Sequence, residues 1–418
     1  MRIKLSLISL GLIALSGGAI AQDANPVFSY SGFGTVGYVL TDSNEGGYNT
    51  GSQKTGATTR GDFGPDTSLG FQVNAKFNST LSGTVQAFAK QDVDGLYGPS
   101  LEWAFLKAKL GSSFDVRVGR MGGPFFMTSD FRNVGYTNVS MRTPIDVYAA
   151  VPVRSFDGAD LLYQGSFGDV TLNGQLWGGK SSVLAATGVK LFLNDVAGFA
   201  ATAEVGPVVL RAGHVETTFD SEGVGLAGFN QIVGGLKQVG AVPGLGSLAQ
   251  LGNDIVINGK KATFSGVGAT FDSGQWVASA EYTKRKSGSL YVSDLTSWYT
   301  TVGYRINSFT PYVTLSSSAV DSPTSVTAPS TAGYPAQVQG TVAFLIANVN
   351  SGILNNNAEK TFALGTRWDA GKSYAVKAEW ANVSVPKGSS GRFRDITGGV
   401  FASDKSINVF SVGIDFVF

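Results

Sequence analysis

Three features of the sequence carry residue types that could do chemistry. Gly174-Gln-Leu-Trp-Gly-Gly179-Lys180-Ser181 matches the spacing of a glycine loop whose amides cradle phosphate. Gly223-Val-Gly225-Leu-Ala-Gly228 matches the spacing of a dinucleotide-binding turn. His214 is the sole histidine, and so the one imidazole available as a general base. Each fails on its surroundings. A phosphate cradle runs from a buried parallel strand into a helix. Here Val170, Leu172 and Leu176 alternate with Thr171, Asn173 and Gln175, which puts Gly174 inside a half-polar strand. The second glycine set also lacks a surrounding βαβ pattern. His214 shares the apolar side of an extended segment with Val208, Leu210 and Ala212, a poor place for a hydrolytic triad. One histidine and no cysteine leave no metal-ligand cluster. The expectation is no catalytic residue, no cofactor and no metal, so the chain is not read as an enzyme.

Any functional residue here is positioned by strands. Leu69, Phe71, Val73, Ala75 and Phe77 alternate with Gly70, Gln72, Asn74 and Lys76. Tyr374, Val376, Ala378 and Trp380 oppose Ala375, Lys377, Glu379 and Ala381, and Phe362, Leu364 and Trp368 oppose Thr361, Gly365, Arg367 and Asp369. Trp298, Val302, Tyr304 and Ile306 oppose Tyr299, Thr301, Gly303 and Arg305. The chain finishes INVFSVGIDFVF, with Phe410, Val412, Ile414, Phe416 and Phe418 on one side. Successive side chains of a strand point to opposite faces, so each segment is apolar on one face and mixed on the other. At roughly 10 residues they are long enough to cross a bilayer at a tilt. The stretch about 180–205 admits two strands fewer or more, and Lys261 to Phe271 does not alternate cleanly.

The first residues read as an export signal: Arg2 and Lys4, an apolar stretch from Leu5 to Leu15, and Ala19-Ile20-Ala21 as a cleavage site. Residues 1–21 are therefore expected to be removed, leaving 22–418. No later stretch is long and apolar enough for a transmembrane helix, so a membrane role must use strands. Cysteine is absent, glycine is abundant at 56 residues, and only 15% of residues are charged. These favour many strands and turns over helices. A net charge of +1 with interspersed signs leaves no nucleic-acid footprint.

Short turn-forming connections (Asn78-Ser79-Thr80, Gly111-Ser112, Asp272-Ser273-Gly274, Asn307-Ser308, Asp369-Ala370-Gly371-Lys372) are interleaved with long stretches at about 42–65, 121–155, 219–258, 319–357 and 385–403. Tight turns at one rim and long loops at the other fit a transmembrane antiparallel β-barrel of about 16 strands. The leader, the alternating strands, the terminal aromatic and the long segment after VRVGR together resemble a Gram-negative outer-membrane porin over the whole mature chain. That resemblance implies short periplasmic turns, long extracellular loops, a third loop (121–155) folded into the lumen, a homotrimer in outer-membrane lipid, and Phe418 as the signal read by the barrel-assembly machinery. It also implies passive diffusion of small polar solutes. The alternatives are a substrate-selective channel for anionic or apolar solutes, and a non-conducting structural or adhesin barrel.

The candidates for the pore constriction are Arg117, Arg120, Asp130, Arg132, Arg142 and Asp146, on or beside the third loop. Opposed charges there would set up a transverse field. Strand parity adds Lys107, Lys109, Asp115, Arg305, Arg367, Lys377 and Glu379 as lumen-lining residues. The inward tally leans basic, so a weak anion preference is expected. The stretches 219–258 and 336–353 carry apolar residues at helix-like spacing, Ile232, Leu236 and Val239 among them. They are expected to pack on each other over the mouth, with a subunit contact or a path for apolar solutes as alternatives.

Overall fold

The computed structural model describes residues 26–418 apart from 52, 55, 186–187, 355, 396–400 and 402. The expected leader lies outside the described residues. Sixteen antiparallel strands close into one barrel. In chain order they are β1 (Val27–Thr41), β2 (Ser68–Lys76), β3 (Leu81–Lys90), β4 (Pro99–Lys109), β5 (Phe114–Gly122), β6 (Ser155–Phe167), β7 (Val170–Ala185) and β8 (Val189–Val205). They continue as β9 (Val208–Glu222), β10 (Lys260–Asp272), β11 (Trp276–Lys286), β12 (Leu295–Tyr304), β13 (Phe309–Val320), β14 (Glu359–Trp368), β15 (Tyr374–Val385) and β16 (Lys405–Val417). Each strand pairs with its neighbours in sequence, and β16 closes on β1 from Phe33↔Val417 to Thr41↔Val409. Closure gives every ladder group a partner, which is what lets strands stand in hydrocarbon. No described helix is long and apolar enough to cross a membrane.

The apolar face of the alternation points out. Leu69, Val85, Leu106, Val118, Leu176, Leu210, Val267, Leu364, Val412 and Ile414 are all exposed there. Aromatic pairs edge this belt. Trp276 with Tyr304 and Phe309 with Trp368 lie near the short turns; Phe362 with Trp380 lies nearer the long loops. Rings with one apolar and one wet end suit the two edges of a membrane. The closing end shows a close approach: Gly32 and Phe418 exchange backbone hydrogen bonds of 2.8 and 2.9 Å, and the Phe418 ring lies over the position where Gly32 has no Cβ. Phe418 itself is exposed on the outside.

The turns at one rim are short, including the two-residue link 206–207, where Gly206 takes φ +53°. The other rim carries five long connections and three shorter ones, 91–98, 186–188 and 287–294. The stretch around 180–205 is a tall hairpin of β7 and β8 joined by 186–188 alone. The G-x-x-x-x-G-K-S spacing lies wholly inside β7, at a bulge where the register shifts between Gly179 and Ser181. Gly223 to Gly228 does lead from β9 into a helix, but β9 belongs to an antiparallel wall.

The loops form two separate bodies at this rim. α2 (Ala227–Gly240), α3 (Gly246–Ile255) and α4 (Ala336–Asn348) share a core of Val233, Leu236, Leu245, Leu248, Val342, Leu345 and Ile346. The apolar stretches therefore pack on each other. On the opposite side, a two-stranded ribbon of Gly46–Tyr48 with Phe393–Asp395 ties the first loop to the last. Between these bodies the mouth is open.

Candidate functional site: the third loop and the lumen

The third loop (123–154) turns inward because of what precedes and faces it. Gly122, Gly123 and Pro124 end the β5 ladder, and Phe125 and Phe126 follow them into an apolar cluster on the inner wall. That cluster joins Val147, Tyr148, Val151 and Val153 of the loop to Trp177, Leu193, Val196, Val215, Phe264, Leu295 and Tyr299 of β7–β12. Trp177 meets the Phe125 ring edge-on, and Phe126 stacks on Tyr148 at 4.4 Å between centroids. Inward Phe264 and Ala262, packed against this loop, and outward Lys261, Thr263 and Ser265, above apolar Val267, Ala269 and Phe271, are why Lys261 to Phe271 fails to alternate.

Inward charges then fix the backbone of the loop. Glu281 accepts the Met127 N–H at 2.8 Å, the Tyr299 hydroxyl at 2.9 Å and the Tyr148 hydroxyl. Arg211 donates to the carbonyl of Pro124 at 2.8 Å. Lys377, its side chain 0% exposed, donates to the carbonyls of Gly135 and Ser140 at 2.8 and 2.9 Å and lies 2.8 Å from Asp415 Oδ2. Arg367 reaches the carbonyls of Tyr136 and Asn138 and covers the Tyr136 ring at 4.7 Å. Arg142 forks onto Asp66 at 2.6 and 2.8 Å, and also reaches Glu379 and Ser411. Burial opposes its charge, but Asp66, Glu379 and the Tyr48 hydroxyl outweigh it and hold the guanidinium well above its ordinary range. Asp146, in the one-turn helix α1 (Ile145–Tyr148), accepts from Ser316 at 2.5 Å. Its carboxyl is pushed up by burial, against the pull of that hydrogen bond and of the Arg392 charge.

The expected site residues thus separate by position. Arg142, Asp146, Arg367, Lys377 and Glu379 lie at the seam between loop and wall. Arg117 is bound to Asp160 at 2.5 Å on the inner wall, and Lys107 to Asp115 at 2.6 Å. Lys109 is exposed at the short-turn end of β4. Arg305 sits in the turn after β12, held by Asp272 at 2.6 Å. Arg120 shares strand parity with outward Phe114 and Val118 and pairs with Asp157 at 2.7 Å. Asp130 and Arg132 lie at the tip of the loop. This tip faces Phe33, Gln86, Glu102 and Trp103 of the wall, with Arg154 of the loop's end beside them, across a gap of about 10 Å³, room for roughly one water.

On the long-loop side, sharing Glu102, Arg132, Asn133 and Arg154 with this gap, lies a cavity of about 960 Å³ bordered by the first, second, third and last loops. No residue of α2, α3 or α4 lines it. Its cations outnumber its acids: Lys90, Arg120, Arg132, Arg142, Arg154 and Arg392 against Asp66, Asp92 and Glu102. Arg154 lies 3.6 Å from Glu102. The side-chain charges of Lys90, Arg132 and Arg392 make no ion pair within 4 Å among the described residues, though the Arg392 backbone N–H donates to Glu359 at 2.8 Å. Arg132 stands over the rings of Phe126 and Tyr148, and its Nη1 has no hydrogen-bond partner. Burial, with Arg154 nearby, lowers its pKa to about 10, which leaves it charged at neutral pH. Sequence reasoning missed Lys90, Arg154 and Arg392 as a set, because β3, the end of the third loop and the last loop meet only in the closed barrel.

His214 contacts Ser265 through Nδ1 at 2.8 Å and Glu216 through Nε2 at 3.4 Å, on the outer face. The serine sits on the ring nitrogen that a triad gives to the acid. Ser265 lies in β10, laddered on both sides by β9 and β11, so no pair of free amides converges on it as an oxyanion hole.

No protein-family model and no curated protein sequence matches the chain. Solved structures do. The outer membrane channel DcaP of Acinetobacter baumannii aligns with a TM-score of 0.53 at 14% identity, over 95% of this chain and 99% of that one. The protein has the porin fold. The anion-selective porin from Comamonas acidovorans aligns at 0.53 and 12% identity, over 94% and 100% of the two chains. OmpT of Vibrio cholerae aligns at 0.50 and 10%, over 96% and 100%. The porin barrel is thus matched along nearly its entire length, at identities where only the architecture is shared.

Proposed function

We propose that the chain is an outer-membrane porin, a passive diffusion channel for small polar solutes with a preference for anions, and not an enzyme. Residues 1–21 direct its export, Phe418 is its assembly signal, and it works as a homotrimer in outer-membrane lipid. The observation that carries the reading is the basic cavity of about 960 Å³ inside the mouth, with Arg132 on its lining. Arg132 borders that cavity as a charged guanidinium with no ion pair among the described residues, and low-dielectric walls focus its field on the passage. An anion is drawn in and a cation held back, with no reaction and no cofactor. The anion-selective porin among the structural neighbours supports the same reading. The test is conductance in a planar bilayer with unequal potassium chloride on the two sides. An anion-selective reversal potential that falls toward zero in Arg132→Gln supports the proposal. A cation-selective potential rejects the preference, and silence rejects the channel.

A further inference from the structure

The outer face of the barrel is not uniform above its apolar belt. On β11, Tyr282 is exposed and pairs laterally with Val267 and Trp298, which marks the upper edge of the belt in this sector. The next two outward residues on that strand are Lys284 and Lys286, both exposed. Lys284 lies level with Ser265 and His214, Lys286 lies level with Thr263, and Lys261 stands one outward step above Thr263 on β10. Residues paired across strands have Cβ atoms about 5 Å apart and diagonal ones about 7–8 Å. The three ammonium groups can therefore converge on one ligand, with the Ser265 and Thr263 hydroxyls between them. None of the three has a carboxylate within 4 Å among the described residues, and the nearby Glu216 is turned to His214. The matching height over β15, β16 and β1 looks different. There Trp380 and Asn382 donate to Asn408, which donates in turn to Asp42, so the polar groups satisfy one another and carry an acid.

We propose that Lys261, Lys284 and Lys286 form a binding site for the phosphate of an outer-leaflet glycolipid. Its acyl chains would lie against Val267, Tyr282 and Trp298. Charge complementarity and height both select this ligand: the lysines sit at the long-loop end of the strands, immediately above the rings that mark the edge of the hydrocarbon. Lysine stems cover apolar surface there while their heads stay in the polar zone. Each lysine near an anionic membrane surface adds roughly 1 kcal/mol of attraction. The inference rests on the outer-membrane placement proposed above.

The test is native mass spectrometry of the full chain, released from detergent after incubation with bis-phosphorylated lipid A. The expected result is a one-lipid adduct that binds roughly a hundredfold more weakly in the K261Q/K284Q/K286Q variant, as loss of three such attractions predicts. The K261R/K284R/K286R variant retains it, and wild type does not retain dephosphorylated lipid A. Folding of each variant is read independently from channel conductance, which these outward residues do not touch. Equal adducts in wild type and the glutamine variant overturn the proposal, as does equal binding of the dephosphorylated lipid. Displacement of the lipid by millimolar inorganic phosphate assigns the site to free phosphate and also overturns it. A conducting wild type without the adduct separates failure of this inference from failure of the channel reading.

Discussion

From β11 round to β16, the inward charges are tied into the third loop: Glu281 to the Met127 amide, Lys377 to two carbonyls, Arg367 to two more, and Glu379 to Arg142. From β1 to β4 the wall is quieter. Gln72, Asn74, Thr84 and Gln86 bond among themselves, and Lys90 faces the open cavity. Both arcs read alike as alternating strands with polar inward faces. They differ in how the third loop meets them: its backbone is bonded to the first arc, while on the second the Arg154 side chain reaches Glu102 and Phe88 across a small gap. The large cavity lies on the side of β1–β4, and the inward charges from β11 to β16 serve the rigidity of the loop.

Several substitutions would break or sharpen this contrast. The largest effect is expected at Lys377→Ala, which leaves Asp415 buried without its cation and two loop carbonyls without a donor. Breaking a buried ion pair costs about 3–5 kcal/mol. The thermal midpoint should fall and single-channel conductance should rise as the loop detaches; if neither moves, the pinned arc is misassigned. Next is Glu281→Gln, which keeps the volume but weakens the acceptor shared by Met127, Tyr148 and Tyr299, for about 1–3 kcal/mol. Faster proteolytic cleavage within 124–131, at unchanged barrel content, is the expected readout. Arg132→Ala acts on the open arc. It should shift the reversal potential toward cations by several millivolts while the thermal midpoint stays within a few degrees of wild type.

The smallest effect is expected at Asp146→Asn. Burial raises the Asp146 carboxyl, so the folded state holds its proton more tightly than the unfolded chain does. Stability contributed by this group is then present at low pH and lost as pH rises from the ordinary carboxylate range through the raised value. The asparagine variant should flatten the pH dependence of the thermal midpoint across that window and leave it unchanged or slightly higher at neutral pH.

Much of the wall was legible in the sequence, because a strand between lipid and water writes its two solvents on alternate residues. Leu69 to Phe77 and the segment ending at Phe418 follow that rule and lie where it puts them. The interior was harder to read. Lys377 and Glu379 look like solvated lumen charges by parity and Arg142 like a constriction charge by its place in the third loop, and only the path of that loop gives them partners. The one trace of that path lay in the strand that failed to alternate, where Phe264 turns an apolar side chain toward what would otherwise be water. Arg120 illustrates a second limit. Its parity is that of outward Phe114 and Val118, yet its guanidinium pairs with Asp157 and borders the cavity.

Because β16 completes the ring by pairing with β1, nothing upstream of Lys405–Val417 can seal the wall. Until that strand arrives, a growing curved sheet carries two unsatisfied borders, one on β1 and one on whichever strand was added last. Such borders are costly in hydrocarbon and sticky in water. Assembly of this protein is accordingly a problem of escorting two raw edges until they meet.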